Sequence, residues 1–370
     1  MIPQKVLLVD LGISYGGTST YIMNICGLLQ DRVKVYALCV NRDVVESLRN
    51  SGMQVFSLVW ALHAGKIIQL LGSIAILFYL KICYRIDVIW VQGIPDVVLI
   101  PIARVLGCRA IITRHITLGA KMESWIKARN RRIAEAVYVR YACLANKTIC
   151  VSQSVGNDLL PILPPGKVVV IPNWITSIPK YFGKAYFDQS SVNLLFVGRL
   201  LKYKGAAIIL DAMRHMKRRG GRVSLTLTVV GDGEYREELE LLADGLDVRF
   251  AGMQKDVSRY YRDADIFVHP TYGPEGSSLV TMEAMSCGVP CVLSDLPVNR
   301  ELSEDGKSAL LFRVGDAYDL CLKLESFISS PELRMVYRRR GYAMVRRRYS
   351  AETVRASYLK VLGVEMQGQQ

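Results

Sequence analysis

The nine cysteines of this 370-residue chain include no Cys-x-x-Cys pair, so neither a zinc site nor a disulfide framework is indicated. They lie mostly among apolar residues and read as buried, reduced thiols of a cytosolic protein. No apolar run is long enough to cross a bilayer. Ile67 to Leu80, uncharged between Lys66 and Lys81, is fourteen residues long, against the roughly twenty that about 30 Å of hydrocarbon demands. The alternatives are a core helix, which is favoured, and a helix lying in the membrane interface. Met1 to Leu11 is short and carries Asp10, which makes it a first strand rather than a signal peptide. Aromatic residues do not interleave with the basic clusters in the manner of RNA-stacking modules, so nucleic acid ranks below a membrane as a partner. Gly231-Asp232-Gly233 lacks the third glycine of a dinucleotide fingerprint.

Basic residues, by contrast, are in excess: 47 Lys and Arg against 33 Asp and Glu give a net charge of +14. Such a surplus implies negatively charged partners such as phosphorylated substrates or an anionic membrane. The surplus gathers at Lys127–Arg132, Arg338–Arg340 and Arg346–Arg348, and the basic stretch from Lys121 to Arg140 adds to the case for membrane contact. With 51% hydrophobic and 22% charged residues the chain is globular, and its length suits two domains.

Short apolar runs at Lys5–Asp10, Val33–Cys39, Gln54–Leu58, Asp87–Gln92, Ala110–Arg114 and Thr148–Val151 alternate with helical patterns. That alternation predicts a parallel sheet covered on both faces, with function sought at the strands' carboxyl ends. At the first such end, Gly16-Gly17 lets backbone approach a ligand, with Thr18 or Ser19 as helix cap. His115 closes the run that ends at Arg114; Gln92-Gly93 and Ser152 read as a loop and a cap. After Val168–Ile171 the periodicity fades from Trp174 to Ser191, which marks a boundary. The pattern then restarts at Asn193–Gly198, and a basic pair, Arg199 and Lys204, follows that strand with glycines on both sides, a combination suited to a diphosphate.

The densest signal is Pro270 to Met285. A buried strand ends at His269, a Gly- and Pro-rich turn carries Glu275, and a helical pattern from Ser278 to Cys287 carries Glu283, eight positions further on. The first N–H groups of that helix, Ser277 to Leu279, form an anion site, and phosphate is the usual occupant. Carboxylates beside phosphate are better used on neutral hydroxyls. The arrangement suits a ligand with diphosphate in the middle and a sugar at each end. Asp263-Ala264-Asp265, at the opposite end of a strand, reads as structural rather than as a metal site.

Glu275-Gly276 through Glu283-Ala284-Met285-Ser286-Cys287-Gly288-Val289-Pro290 resembles the Glu-x7-Glu signature of retaining GT-B glycosyltransferases of family 4, and further segments match in order over nearly the whole chain. In place of the family's frequent aromatic-Gly pair and Pro stand Ser277-Ser278 and Val280, a departure that bears on the donor sugar. The resemblance implies an α/β GT-B fold of two Rossmann-like, doubly wound domains facing across a cleft. The expected division is 1–175, a linker 176–191, 192–348, and a C-terminal helix, 349–370, returning to the first domain.

The resemblance further implies a retaining, metal-independent hexosyltransferase using a nucleotide-diphosphate-sugar as substrate, with no cofactor. Arg199 and Lys204 would hold the diphosphate, Glu275 the sugar hydroxyls and Glu283 the ribose. His115 would sit near donor sugar and acceptor, Gly16 and Gly17 near the donor phosphates, and Gly252 by the base. A lipid-linked or saccharide acceptor at the inner membrane face, as in surface polysaccharide or lipopolysaccharide assembly, agrees with the basic surface. The competing readings are a nucleotide-sugar epimerase of similar shape, and a basic membrane- or nucleic-acid-binding protein without activity.

Overall fold

The structure is a computed structural model that describes residues 4–12, 16–61, 66–93, 96–117, 128–176, 179, 190–220 and 223–364, with backbone alone at 61, 66 and 128–132. The chain divides into two compact units, Met1–Asn173 with Val354–Gln370, and Trp174–Thr353. Most of the expected linker 176–191, and the basic stretch before Ala128, lie outside the described residues.

The first unit holds a parallel sheet of β1 (Lys5–Asp10), β2 (Lys34–Cys39), β3 (Gln54–Ser57), β4 (Val88–Gln92), β5 (Arg109–Arg114), β6 (Lys147–Cys150) and β7 (Val168–Val170), in the order β3-β2-β1-β4-β5-β6-β7. The central strands are apolar on both faces because helices cover both: Val6, Leu7, Leu8 and Val9 are all buried. The strand order reverses between β1 and β4, where an open α/β sheet leaves a crevice beyond its strand ends. Asp96 spans that point, one carboxylate oxygen accepting from Leu11 N–H (3.1 Å) and the other from Gln92 N–H (3.2 Å).

The helix Ala351–Leu362 is shared between the units, and its part from Val354 onward belongs to the first. Tyr358 packs against Trp90 and Tyr21, with ring centroids 5.8 and 6.4 Å apart. Arg109 donates to the Val361 and Leu362 carbonyls, which the helix end leaves without partners of its own.

The second unit repeats the plan with β8 (Ser191–Val197), β9 (Ser224–Val230), β10 (Asp247–Gly252), β11 (Ile266–His269), β12 (Cys291–Ser294) and β13 (Leu310–Phe312), ordered β10-β9-β8-β11-β12-β13. Its reversal lies between β8 and β11. One face is covered by the helices Ala206–Arg218 and Ala317–Ser329, the other by Leu279–Ser286 and Pro331–Arg348. The Asp265 carboxylate accepts from Asn193 N–H (2.8 Å) at the amino ends of β8 and β11, in keeping with a structural role.

Two expectations need correction. The first helix, Gly17–Leu29, is capped by Gly16 rather than by Thr18 or Ser19; the Ser19 hydroxyl accepts from Gly16 N–H at 3.4 Å. The helix Lys66–Tyr79 is not a core helix all round. Leu77 and Leu80 are buried, whereas Ile67, Leu71 and Phe78 are 75%, 61% and 44% exposed.

Candidate active site

In the second unit, the loops that leave β8, β9 and β11 emerge from the same edge of the sheet and are tied together by backbone. Gly231 lies so close that a Cβ there would stand 1.9 Å from the Gly198 carbonyl oxygen, and Leu200 N–H donates to the Asp232 carbonyl (2.9 Å). Gly205, at φ +77°, turns the chain into the next helix with room for no side chain, since its Cβ would meet the Pro270 carbonyl oxygen at 2.2 Å. The Tyr203 carbonyl accepts from Tyr272 N–H (2.9 Å) and from the Thr271 hydroxyl (3.2 Å), and Gly273 lies flat against the Tyr203 ring.

This docking joins the Lys204 ammonium to the Glu275 carboxylate, 71 positions apart in sequence. The side chains keep only 16% and 11% of their surface, so water screens the pair weakly. His269, the last residue of β11, stacks beside Phe267 and brings Nε2 to 3.3 Å from the same Glu275 oxygen, without hydrogen-bond alignment. Burial alone would push the Glu275 carboxyl up; Lys204 and then His269 outweigh it and hold the group at about 2. It is therefore ionised at every pH at which the protein would work.

Glu283 sits one helical stretch away and meets a different partner, accepting from the Tyr261 hydroxyl at 2.9 Å. Burial pushes its carboxyl up. The helix Leu279–Ser286 begins at Ser278, whose hydroxyl accepts from Thr281 N–H. Ser277, Ser278 and Leu279 thus form the turn between Glu275 and Glu283. Gly252, at φ +67°, ends β10 and accepts from Gly231 N–H (2.9 Å). Arg199 is exposed just beyond β8, with no ion pair among the described residues. The strand edge therefore carries Lys204, Glu275, the capped helix start and Gly252 together, with Arg199 on the same loop as Lys204 but outside its ion pair.

A second constellation belongs to the first unit. His115 follows β5, its Nε2 3.1 Å from Gln92 Oε1 and its ring edge-on to Tyr21 (4.8 Å). With the Gln92 amide in this orientation Nε2–H donates to Oε1; turned over, the Gln92 NH2, otherwise without a partner, would donate to Nε2 instead. Burial, with the Arg114 charge beside it, lowers the imidazole to about 3. Arg114 is fixed by donating to the Ile116 and Thr117 carbonyls and by lying over the Tyr138 ring at 4.5 Å. Gly16 and Gly17 open the first helix at the carboxyl end of β1, and a Cβ on Gly17 would meet nothing within 4 Å. Ser152 caps its helix, accepting from Val155 N–H (3.2 Å).

Sequence reading missed His269, hidden as the last letter of an apolar strand, and Tyr261, the partner of Glu283. A polar side chain closing a buried strand just before Pro270 was the available signal for His269. It also underrated Gln92, whose side-chain amide holds the His115 ring through Nε2.

Residues 15–177 match the family model described as Glycosyltransferase Family 4, and residues 191–330 match the model described as Glycosyl transferases group 1. A phosphatidyl-myo-inositol mannosyltransferase of Mycobacterium leprae is 32% identical over 214 residues, 56% of this chain and 54% of that protein. An amylovoran biosynthesis glycosyltransferase, AmsK, of Erwinia amylovora is 34% identical over 140 residues, 35% of this chain and 34% of that one. The chain thus spans about half the length of the first and a third of the second. The crystal structure of Anabaena Alr3699/HepE in complex with UDP-glucose superposes with a TM-score of 0.80 at 20% identity, over 97% of this chain and 99% of that one. The two parallel sheets, the two family matches and the superposition agree, and the chain belongs to the group 1, family 4 glycosyltransferases with the GT-B fold.

Proposed function

We propose that the chain moves a hexose from a nucleotide-diphosphate-sugar to an acceptor hydroxyl with retention of configuration, and needs no metal ion. The observation that carries this reading is the buried Lys204–Glu275 pair at the β8/β11 reversal, one turn before a capped helix start. Lys204, Arg199 and the N–H groups of Ser277 to Leu279 stabilise the charge that builds on the diphosphate as the bond from the sugar C1 to its phosphate oxygen breaks. The acceptor oxygen bonds to C1 on the face the phosphate leaves, and its proton passes to the departing phosphate oxygen. Glu275 holds Lys204 with one carboxylate oxygen and offers the other to sugar hydroxyls; Glu283 receives the ribose diol. Gly252 lies by the base, Gly16 and Gly17 give the phosphates close backbone approach, and neutral His115 hydrogen-bonds a sugar or acceptor hydroxyl through Nδ1.

The acceptor is a lipid-linked saccharide at an anionic membrane surface on the cytoplasmic side, in the assembly of a surface polysaccharide. The net charge of +14 supports this, as do the names of the mannosyltransferase and AmsK relatives, and the HepE complex supports a uridine donor. The test is to incubate the protein with a panel of nucleotide sugars and lipid-linked acceptors and to read the new linkage by NMR. Transfer with the donor's anomeric configuration is the expected result. Inverted product, or donor epimerised without acceptor, would overturn the proposal.

A further inference from the structure

The helix Lys66–Tyr79 and the turn Leu80–Tyr84 that continues it are built inside out for a surface helix. Their polar residues Gln69 and Ser73 face inward at 7% and 0% exposure, and the Ser73 hydroxyl donates to the Gln69 carbonyl. Ile67, Leu71, Phe78 and Ile82 face outward, separated by steps of four, seven and four residues, the spacing of one stripe along a helix about 22 Å long. Trp60, 66% exposed, lies against Gly72, and Tyr79, 50% exposed, flanks the stripe. Large apolar side chains exposed together along one stripe mark an interaction surface.

Charge decides what docks. No acidic residue occurs from Ser47 to Ile86, and Arg49 and Arg85 in that stretch are exposed, whereas the Lys81 ammonium donates to the Ile86 carbonyl. A second copy of the chain would bring two basic rims together across a twofold axis, which repels; an anionic bilayer attracts the same rims. Trp and Tyr at the border of such a stripe are the side chains that favour the headgroup level. By length and composition Ile67–Tyr84 is apolar enough to cross a bilayer, but Leu77 and Leu80, with Leu70 and Ile74 partly buried beside them, pack into the core of the first unit, which favours a helix that lies on the surface with one face outward.

We infer that this stripe is the membrane-contact surface of the protein, lying in the plane of an anionic bilayer with Ile67, Leu71, Phe78 and Ile82 among the acyl chains and the exposed Arg85 at the headgroups. The inference deepens the lipid-linked acceptor reading above and draws its purpose from it, though its geometry stands alone.

Flotation of the full chain with phosphatidylcholine vesicles, with and without phosphatidylglycerol, tests it. The wild type floats with the anionic vesicles and at least about tenfold less with neutral ones. The variant Ile67→Gln/Leu71→Gln/Ile82→Gln alters exposed side chains only; it melts as the wild type does and loses about tenfold or more of its partition. Equal flotation of variant and wild type overturns the inference, as does a wild type that stays with neither vesicle. So does a wild-type dimer that the variant converts to monomer without any flotation, which would assign the stripe to a second copy. The melting shift given by UDP, recorded on the same samples, reports separately on the transferase reading: lost flotation with the shift intact sinks only the surface, and no shift with flotation intact sinks only the transferase.

Discussion

Lys204 and Glu275 form a largely buried ion pair between the loops that leave two neighbouring strands, β8 and β11, at the point where the strand order of their sheet reverses. A cation held there is set in place before any diphosphate arrives, and a preset charge stabilises a transition state without reorganising.

Replacing Lys204 by Ala leaves the Glu275 charge buried without its principal partner. Steady-state kinetics should show kcat down by about a hundredfold or more, with acceptor KM changed far less. Urea unfolding should show a loss of about 3 kcal/mol. Adding Glu275→Gln should recover part of that stability and none of the activity. The double-mutant cycle should give a coupling of about 1–3 kcal/mol, and a coupling near zero would dissolve the pair.

The Glu275 carboxyl is held at about 2, below its ordinary 4.5, by Lys204 and His269 acting against burial. A depressed carboxyl contributes stability that is complete above its unfolded value and fades as pH falls through its folded one. Unfolding of wild type and Glu275→Gln between pH 6 and pH 2 should therefore converge toward the acid end, the difference shrinking by about 3 kcal/mol at most. A difference constant across that range would contradict the assignment.

His115 is lowered from 6.5 to about 3 by burial and the Arg114 charge. Its ring stays neutral across pH 5–8, and the stability it confers is present above about 6.5 and lost as pH falls toward 3. The ring proton NMR signal of His115 should not move between pH 8 and pH 5. A midpoint near 6.5 would show it protonating freely. His115→Gln, which keeps hydrogen bonding without titration, should change kcat without shifting the pH profile.

Two glycines should respond in opposite ways. At Gly273 a Cβ would stand 2.3 Å from the Tyr203 ring, so Gly273→Ala parts the docked loops, costs about 1–3 kcal/mol and weakens nucleotide binding. At Gly17 a Cβ meets nothing, so Gly17→Ala leaves stability unchanged or raises it by up to about 1 kcal/mol. If backbone at Gly17 approaches a ligand, turnover nevertheless falls. Unaltered turnover would remove Gly17 from the site.

Much of this fold was legible because parallel strands covered on both faces are written as continuous apolar runs: Val6–Val9 and Ile266–Val268 could be little else. The start of a helix at Ser278 and the Gly-rich turn before it were legible for similarly local reasons, though not that Ser278 is its cap. The Lys204–Glu275 contact was not, because it depends on β8 pairing with β11 across 71 positions, and sheet order is not a local property. Gly16 displaced Thr18 and Ser19 as cap because a side chain at N3 can serve the same N–H group from inside the helix. Which side of the helix Lys66–Tyr79 is buried was not legible, because a segment without charges whose few polar residues, Gln69 and Ser73, turn inward does not announce its outer face.

The most direct test of a preset diphosphate grip is calorimetric titration of UDP into the wild type and into Lys204→Ala. Binding to the wild type should be saturable, with affinity at least about tenfold weaker in the variant. Equal affinity in the two proteins, or no binding of any nucleoside diphosphate to the wild type, would contradict it.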